Sequence, residues 1–160
     1  METTLQYTPL TLADSAEFFL LAGNERVAAT MRFDCPQTRA ESDAVLAAYI
    51  AAGNRAFAIR SQPGTPLWGV FAFKVNPASD AADLSQMMLP QKWGQGLGKQ
   101  VLSDMIRLAQ KEQWYKALEG YVLETNIASR RMAERLGFFE KQRHRFDGMT
   151  EDLIVYRLEL

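Results

Sequence analysis

Gly94, Gly96 and Gly98 stand at alternate positions in the stretch Trp93-Gly94-Gln95-Gly96-Leu97-Gly98-Lys99. Glycine reaches positive φ at little steric cost and lets a backbone approach a ligand closely. Directly behind the turn, Val101, Leu102, Met105, Leu108 and Ala109 recur at helical spacing, which predicts an amphipathic helix. The first N–H groups of such a helix have no intrahelical partner, and with the helix dipole they favour a phosphate or pyrophosphate. The chemistry implied is binding of a phosphorylated cofactor. A nucleoside-triphosphate loop needs Gly-x-x-x-x-Gly-Lys-Ser/Thr, but Trp93 stands at its first glycine and Gln100 at its hydroxyl. A dinucleotide fingerprint, Gly-x-Gly-x-x-Gly, places its third glycine one residue later and needs more chain behind it, although Glu119 or Glu124 could supply its acid. A turn with no ligand is disfavoured, because three glycines carry an entropic penalty that a plain turn does not need.

Other reactive side chains are few. Cys35 is the single cysteine and His144 the single histidine, so neither an intrachain disulfide nor a zinc set is available and no metal is expected. Nothing local activates Cys35, and His144 lies between Arg143 and Arg145, as a surface histidine would. A net charge of −1 gives no global reason to bind nucleic acid or an anionic membrane. No apolar run is long enough to span a bilayer, and the N-terminus lacks a signal-peptide pattern, so the cytoplasm is the expected location.

The elements that must position the turn follow from periodicity. At 160 residues and 48% hydrophobic content the chain predicts a single domain over 1–160. Residues 5–12 form an edge strand, since Pro9 lacks a donor. Asp14 is expected to cap a short apolar helix that ends near Gly23 and Asn24. A second helix is expected from about Arg39 to Ala52, with Ala44, Val45, Ala48 and Tyr49 on its buried face. Between the two helices, residues 26–38 show no period and read as a loop or irregular helix. Alternation over 56–60 and 67–74 around Pro63-Gly64 predicts a hairpin, and 84–89 a third strand closed by Pro90. Beyond the turn helix come a strand over 118–123 and a helix capped by Thr125 or Asn126, with Ala128, Met132 and Leu136 inward and Gly137 at its end. A last strand runs over 152–160, with Ile154, Tyr156, Leu158 and Leu160 on one face. The class is α+β.

The run Pro90–Gly98, then Asn126-Ile127-Ala128-Ser129, then Arg135-Leu136-Gly137-Phe138, resembles the GNAT superfamily of acyl-CoA-dependent N-acyltransferases. That family's phosphate turn usually reads Arg/Gln-x-x-Gly-x-Gly/Ala; here Trp93 takes the first position, with Gly96 and Gly98 intact. The Trp-Gly-x-Gly form with a later Asn-x-x-Ser is similar to the RimJ/RimL branch of ribosomal-protein N-terminal acetyltransferases. The opening, with Asp14, Asn24, Val27, Met31-Arg32, Pro36, Thr38 and Glu41, follows the order that branch shows.

The resemblance implies a central mixed, mostly antiparallel sheet of about six to seven strands, splayed in the middle and flanked by about four helices. It implies acetyl-CoA as cosubstrate, lying between the strand ending at Leu89 and the strand ending at Leu123. Backbone groups of Met88 and Leu89 would meet the pantetheine, and Trp93, Gly94, Gln95, Gly96, Leu97, Gly98 and Lys99 would bind the pyrophosphate. Asn126 belongs to the same set, and Leu89 N–H is a candidate oxyanion donor. Many relatives carry a tyrosine acid at the position of Ala133, so that role does not transfer. Ser129 is the candidate contact to the CoA sulfur and Glu124 the candidate base; each has a plain alternative, a helix-start serine and a solvated glutamate. The six cations Arg130, Arg131, Arg135, Lys141, Arg143 and Arg145 outnumber Glu134 and Glu140 in that stretch. Arg130 or Arg131 could meet the adenosine 3′-phosphate, or the cluster could be a solvated face balanced by acids elsewhere. The acceptor would be a primary amine, on a small molecule or a protein N-terminus, and the protein a monomer or homodimer. A non-catalytic CoA-binding module is the competing expectation.

Overall fold

The computed structural model describes residues 3–31 and 33–160. Its strands are β1 (Gln6–Pro9), β2 (Arg55–Arg60), β3 (Gly69–Lys74), β4 (Ala81–Met88), β5 (Ala117–Leu123), β6 (Phe139–His144) and β7 (Leu153–Glu159). Its α-helices are α1 (Ser15–Ala22), α2 (Glu25–Ala28), α3 (Arg39–Tyr49), α4 (Leu97–Glu112) and α5 (Ile127–Arg135). The strands form one seven-stranded sheet in the order β1-β2-β3-β4-β5-β7-β6. β1–β2, β2–β3, β5–β7 and β6–β7 are antiparallel, and β4–β5 is parallel, over Ala81–Asp83 and Ala117–Glu119. The class is α+β, as the pattern predicted, and the sheet is mixed and mostly antiparallel, as the resemblance implied. The helix beyond the expected four is α2, too short to show a period.

The chain divides into two compact units. One holds the chain up to Lys74 together with Ser85–Val101, and the other holds Val75–Leu84 together with Leu102–Leu160.

In the first unit β1 is the edge strand, where Pro9 costs no ladder hydrogen bond. Asp14, expected to cap α1, makes no cap bond there. It closes a capping box with Thr11 around the 3-10 turn Leu12–Asp14 and pairs with Arg60 at 3.0 Å. Two donors, the Thr11 N–H and the Arg60 guanidinium, share one carboxylate, and the arginine comes from β2, which local spacing cannot reveal. The core gathers Phe18, Leu21 and Ala22 of α1, Val27 of α2, Leu46 and Tyr49 of α3, and Ala58, Val70, Ala72 and Met87 of the strands. Each large side chain buried here contributes about 1.5–3 kcal/mol. The inward face of α3 is Ser42, Leu46 and Tyr49, whereas Ala44 and Ala48 are exposed. Alanine suits either environment; Leu46 and Tyr49 have far more apolar surface to bury and set the rotation. Burial pushes the Tyr49 hydroxyl up to about 12, against the opposing bond to Ser85 at 2.6 Å. β3 begins at Gly69, two residues later than alternation predicts. A Cβ there would collide with the Met87 carbonyl and the Met88 sulfur, so the end of β4 lies against a position only glycine can fill.

In the second unit β7 lies between β5 and β6, so Leu153, Ile154, Val155 and Tyr156 are all buried rather than alternate residues only. Glu119 of β5 is 2% exposed and accepts from Lys141 at 2.8 Å and Arg157 at 3.0 Å. Lys141 occupies an irregularity in β6 between Glu140 and Gln142. The extra residue of such a bulge re-aims a side chain, here onto Glu119. Helix α5 buries Ala133, with Met132 and Leu136 partly covered and Ala128 exposed, correcting the expected face by part of a turn. Gly137 at φ 95 closes the helix, with Gly137 N–H on the Glu134 carbonyl and Phe138 N–H on that of Ala133. These are the paired bonds of a Schellman stop, with Phe138 buried beside it.

Candidate active site

β4 ends at Met88 and the chain tightens into a 3-10 turn over Pro90–Lys92, with the proline at the position that needs no donor. Lys92 N–H reaches the Leu89 carbonyl at 2.8 Å and Trp93 N–H that of Pro90 at 3.0 Å. Gly94 and Gly96 then take φ 74 and 77, the left-handed region that side chains resist. Leu97 is buried at 3% and pins the start of α4. The Gln86 amide donates to the Gly98 carbonyl at 3.0 Å, tying the first turn of α4 back to β4. The first bond of the helical ladder runs from Gln100 N–H to the Gly96 carbonyl at 3.1 Å. Among the described residues, none of the N–H groups from Gly94 to Lys99 has a hydrogen-bond partner in the chain. A run of unpaired amides at the start of a sixteen-residue helix is suited to an anion with several acceptor oxygens, such as a pyrophosphate. Lys99 is exposed at the same turn.

Side chains brace the turn. The Trp93 indole N–H donates to the Met88 carbonyl at 2.9 Å. The Arg26 guanidinium lies over the Trp93 ring at 5.0 Å, and the Lys92 ammonium over Trp68 at 3.9 Å. The Gln95 amide donates to the Gln91 carbonyl at 2.8 Å.

In the second unit, Asn126 caps α5 by accepting from Ser129 N–H at 3.2 Å. The Ser129 hydroxyl makes no hydrogen bond among the described residues. Glu124 follows β5; its N–H donates to the Asp152 carbonyl at 2.9 Å, and its carboxylate meets Arg143 at 3.1 Å. Arg130 donates to the Glu124 carbonyl at 3.0 Å and to the Tyr156 hydroxyl at 3.3 Å. That hydroxyl donates in turn to Glu134 at 3.1 Å. Glu151 accepts from Thr125 N–H at 2.9 Å and from its hydroxyl. These bonds, the backbone one first, hold the Glu151 carboxyl below its ordinary range.

The acetyltransferase (GNAT) domain family matches residues 4–139. The chain belongs to the GNAT acetyltransferase family. Its fold is shared with solved members across nearly its whole length. One is the spermidine N-acetyltransferase from Vibrio cholerae in complex with CoA and spermine, 15% identical, with 99% of this chain and 96% of that one aligned at a TM-score of 0.83. Another is RimL, a ribosomal L7/L12 α-N-protein acetyltransferase, in complex with coenzyme A, 18% identical over 99% and 96% of the two chains, at 0.82. A search of curated protein sequences returned no significant match.

As a GNAT domain the chain presents its expected site residues unevenly. Gly94 and Gly96 take the turn geometry the sequence predicted, whereas Gly98, expected in the turn, already lies inside α4. Trp93 braces the turn against β4, a role its place in the motif did not suggest. Leu89 N–H, expected as an oxyanion donor, is donated to the Trp68 carbonyl at 2.9 Å, so that hydrogen is already engaged. Arg130, expected at the adenosine phosphate, is directed to Glu124 and Tyr156 and knits α5 to β5 and β7. The basic cluster is largely balanced, as the solvated-face reading had it. Lys141 pairs with Glu119, Arg143 with Glu140, Glu124 and Asp152, and Arg145 with Asp152. Arg131 and Arg135 are exposed. The Thr125–Glu151 and Arg130–Tyr156–Glu134 contacts join segments distant in sequence, and no local signal announced them.

Proposed function

We propose that this chain is an acetyl-CoA-dependent N-acetyltransferase that moves the acetyl group to a primary amine by direct attack in a ternary complex. The observation that carries this reading is the run of unpaired amides from Gly94 to Lys99 at the start of α4, in a chain of the GNAT family. Those amides bind the pyrophosphate, with Lys99 adding charge, while the Met88 and Leu89 carbonyls, each of which keeps a second lone pair beside its bond within the chain, meet the pantetheine. Attack by the amine nitrogen on the thioester carbonyl forms the amide and releases the CoA sulfur. The amine must lose a proton and the sulfur must gain one. Ser129, whose hydroxyl is otherwise uncommitted among the described residues, is assigned to the sulfur, and Glu124, one of whose carboxylate oxygens Arg143 engages, to the amine.

The acceptor is a small-molecule amine or a protein N-terminal α-amine. Solved structures of the same fold include enzymes named for spermidine and for the α-amine of ribosomal L7/L12. An α-amino group with a pKa of about 7.7–8.0 is roughly 10–20% neutral at pH 7, against well under ~0.1% for lysine near 10.4. The α-amine is thus the acceptor that asks less of a base. Trp93-Gly94-x-Gly96 with Asn126-x-x-Ser129 supports placement near the RimJ/RimL branch, and the lone cysteine and balanced charge support a cytoplasmic location. Among the described residues no helix is long and apolar enough to cross a membrane.

The test is release of free CoA thiol from acetyl-CoA in the presence of N-terminal peptides, lysine peptides, polyamines and aminoglycosides. Turnover on one amine class establishes the transferase and its acceptor. Binding of acetyl-CoA without turnover on any of them points to the non-catalytic module, and absence of binding refutes the cradle.

A further inference from the structure

Arg26 is a cation that the fold brings from a distant segment onto Trp93, the residue before the first glycine of the phosphate turn. Asn24 caps α2 by accepting from Arg26 N–H at 3.0 Å and from Val27 N–H at 3.3 Å. Val27 and Ala28 are buried, so the short helix is fixed while Arg26 is exposed. Its guanidinium lies 5.0 Å from the centre of the Trp93 ring. That ring is itself held, because its N–H is bonded to the Met88 carbonyl. Arg60, Arg143 and Arg157 each engage carboxylates; Arg26 forms no ion pair with any described residue. Lys92, nearer in sequence, is turned onto Trp68.

A guanidinium carries five N–H donors, and a cation–π contact with an indole face does not pair them with an acceptor oxygen, so they stay available to an anion. Trp93 directly precedes Gly94, the first of the unpaired amides. We propose that Arg26 is a cofactor-binding residue: held on the face of Trp93, it donates to a phosphate oxygen of CoA and adds a cation to the amide cradle. This rests on the acetyl-CoA reading above. The amides alone bind an anion by partial charges; a guanidinium–phosphate contact adds a charge-assisted bond.

The experiment is calorimetric titration of the full chain and of Arg26→Gln and Arg26→Lys with CoA, and with pantetheine, which has no phosphate. Arg26→Gln should weaken CoA about tenfold and leave pantetheine unchanged. Its CoA affinity should also fall less steeply with added salt. Arg26→Lys, which keeps the charge, should recover part of the loss. Trp93→Leu should cost less in the Arg26→Gln background than in the parent, since the platform then has no cation to hold. The inference is overturned if Arg26→Gln binds CoA within about twofold of the parent, if pantetheine loses as much as CoA, or if the two substitutions are additive. A parent chain that fails to bind CoA would sink the acetyltransferase reading and this inference with it. A parent that binds while Arg26→Gln is unaffected would sink the inference alone.

Discussion

Gly96→Ala isolates the backbone of the phosphate turn. Gly96 sits at φ 77, and a Cβ added there meets no atom within 4 Å. The substitution therefore creates no clash, and its effect comes from the left-handed conformation alone. Holding a residue with a Cβ in that region costs about 1–2 kcal/mol. The chain has two ways to respond. If the turn keeps its shape, the cost falls on stability and CoA affinity stays. If the turn relaxes to negative φ, the strain returns on binding, and affinity drops by about 5- to 30-fold at 1.4 kcal/mol per tenfold. Loss of stability and loss of binding energy should thus sum to about 1–2 kcal/mol. Urea unfolding and calorimetric titration with CoA on the same samples measure both parts. Gly96→Asn should be milder, since asparagine tolerates the left-handed region better. Gly98→Ala is the control: Gly98 lies inside α4 without positive φ, and its nearest obstacle is the Gln86 amide at 3.4 Å. Gly98→Ala weakening CoA as much as Gly96→Ala, or Gly96→Ala leaving both quantities unchanged, would refute the reasoning.

Three further outcomes are expected. Glu119→Gln should cost about 2–4 kcal/mol at pH 7 in urea unfolding, because Lys141 and Arg157 lose a buried partner. Burial pushes the Glu119 carboxyl up, but hydrogen bonds from Lys141 and Arg157 more than offset it and hold it below its ordinary range. A lowered carboxyl contributes stability above its unfolded pKa, near 4.3, and loses it as pH falls through the folded value. The difference between parent and variant should therefore shrink on acidification, and a constant difference would count against the assignment. Asn126→Ala removes the acceptor for Ser129 N–H and should lower stability by about 1 kcal/mol, seen as an earlier urea midpoint. Glu124→Gln should slow acetyl transfer by at least about tenfold with little change in acetyl-CoA affinity; an unchanged kcat would show that water takes the proton.

Where a feature depends on a few neighbouring residues, it was legible. Pro9 marks an edge strand, Thr125-Asn126 a cap that Asn126 fills, Gly137 a helix stop and Gly94 with Gly96 a left-handed turn. Each follows from the covalent geometry of the residue itself. What was not legible depends on partners from distant segments. Nothing near Leu89 says that Trp68 will accept its N–H, and nothing near Arg130 names Tyr156. Asp14 has the right spacing for a cap and is drawn away by Arg60. The faces of α3 and α5 depart from the expected ones at Ala44, Ala48 and Ala128, residues small enough to be indifferent to burial, while Ser42 and Ala133 lie inside with their larger neighbours.

The same distinction separates the two halves of the chemistry. Cofactor binding is assigned chiefly to backbone amides, and these stay unpaired because the turn and helix geometry leaves them no carbonyl to meet. Proton transfer is assigned to side chains, and the carboxylate among them is already held, since Glu124 faces Arg143 at 3.1 Å. Arg143 reaches one oxygen of that carboxylate and also contacts Glu140 and Asp152. An acceptor amine that is partly neutral in solution asks little of such a base, whereas a lysine side chain would ask for several kcal/mol more at neutral pH.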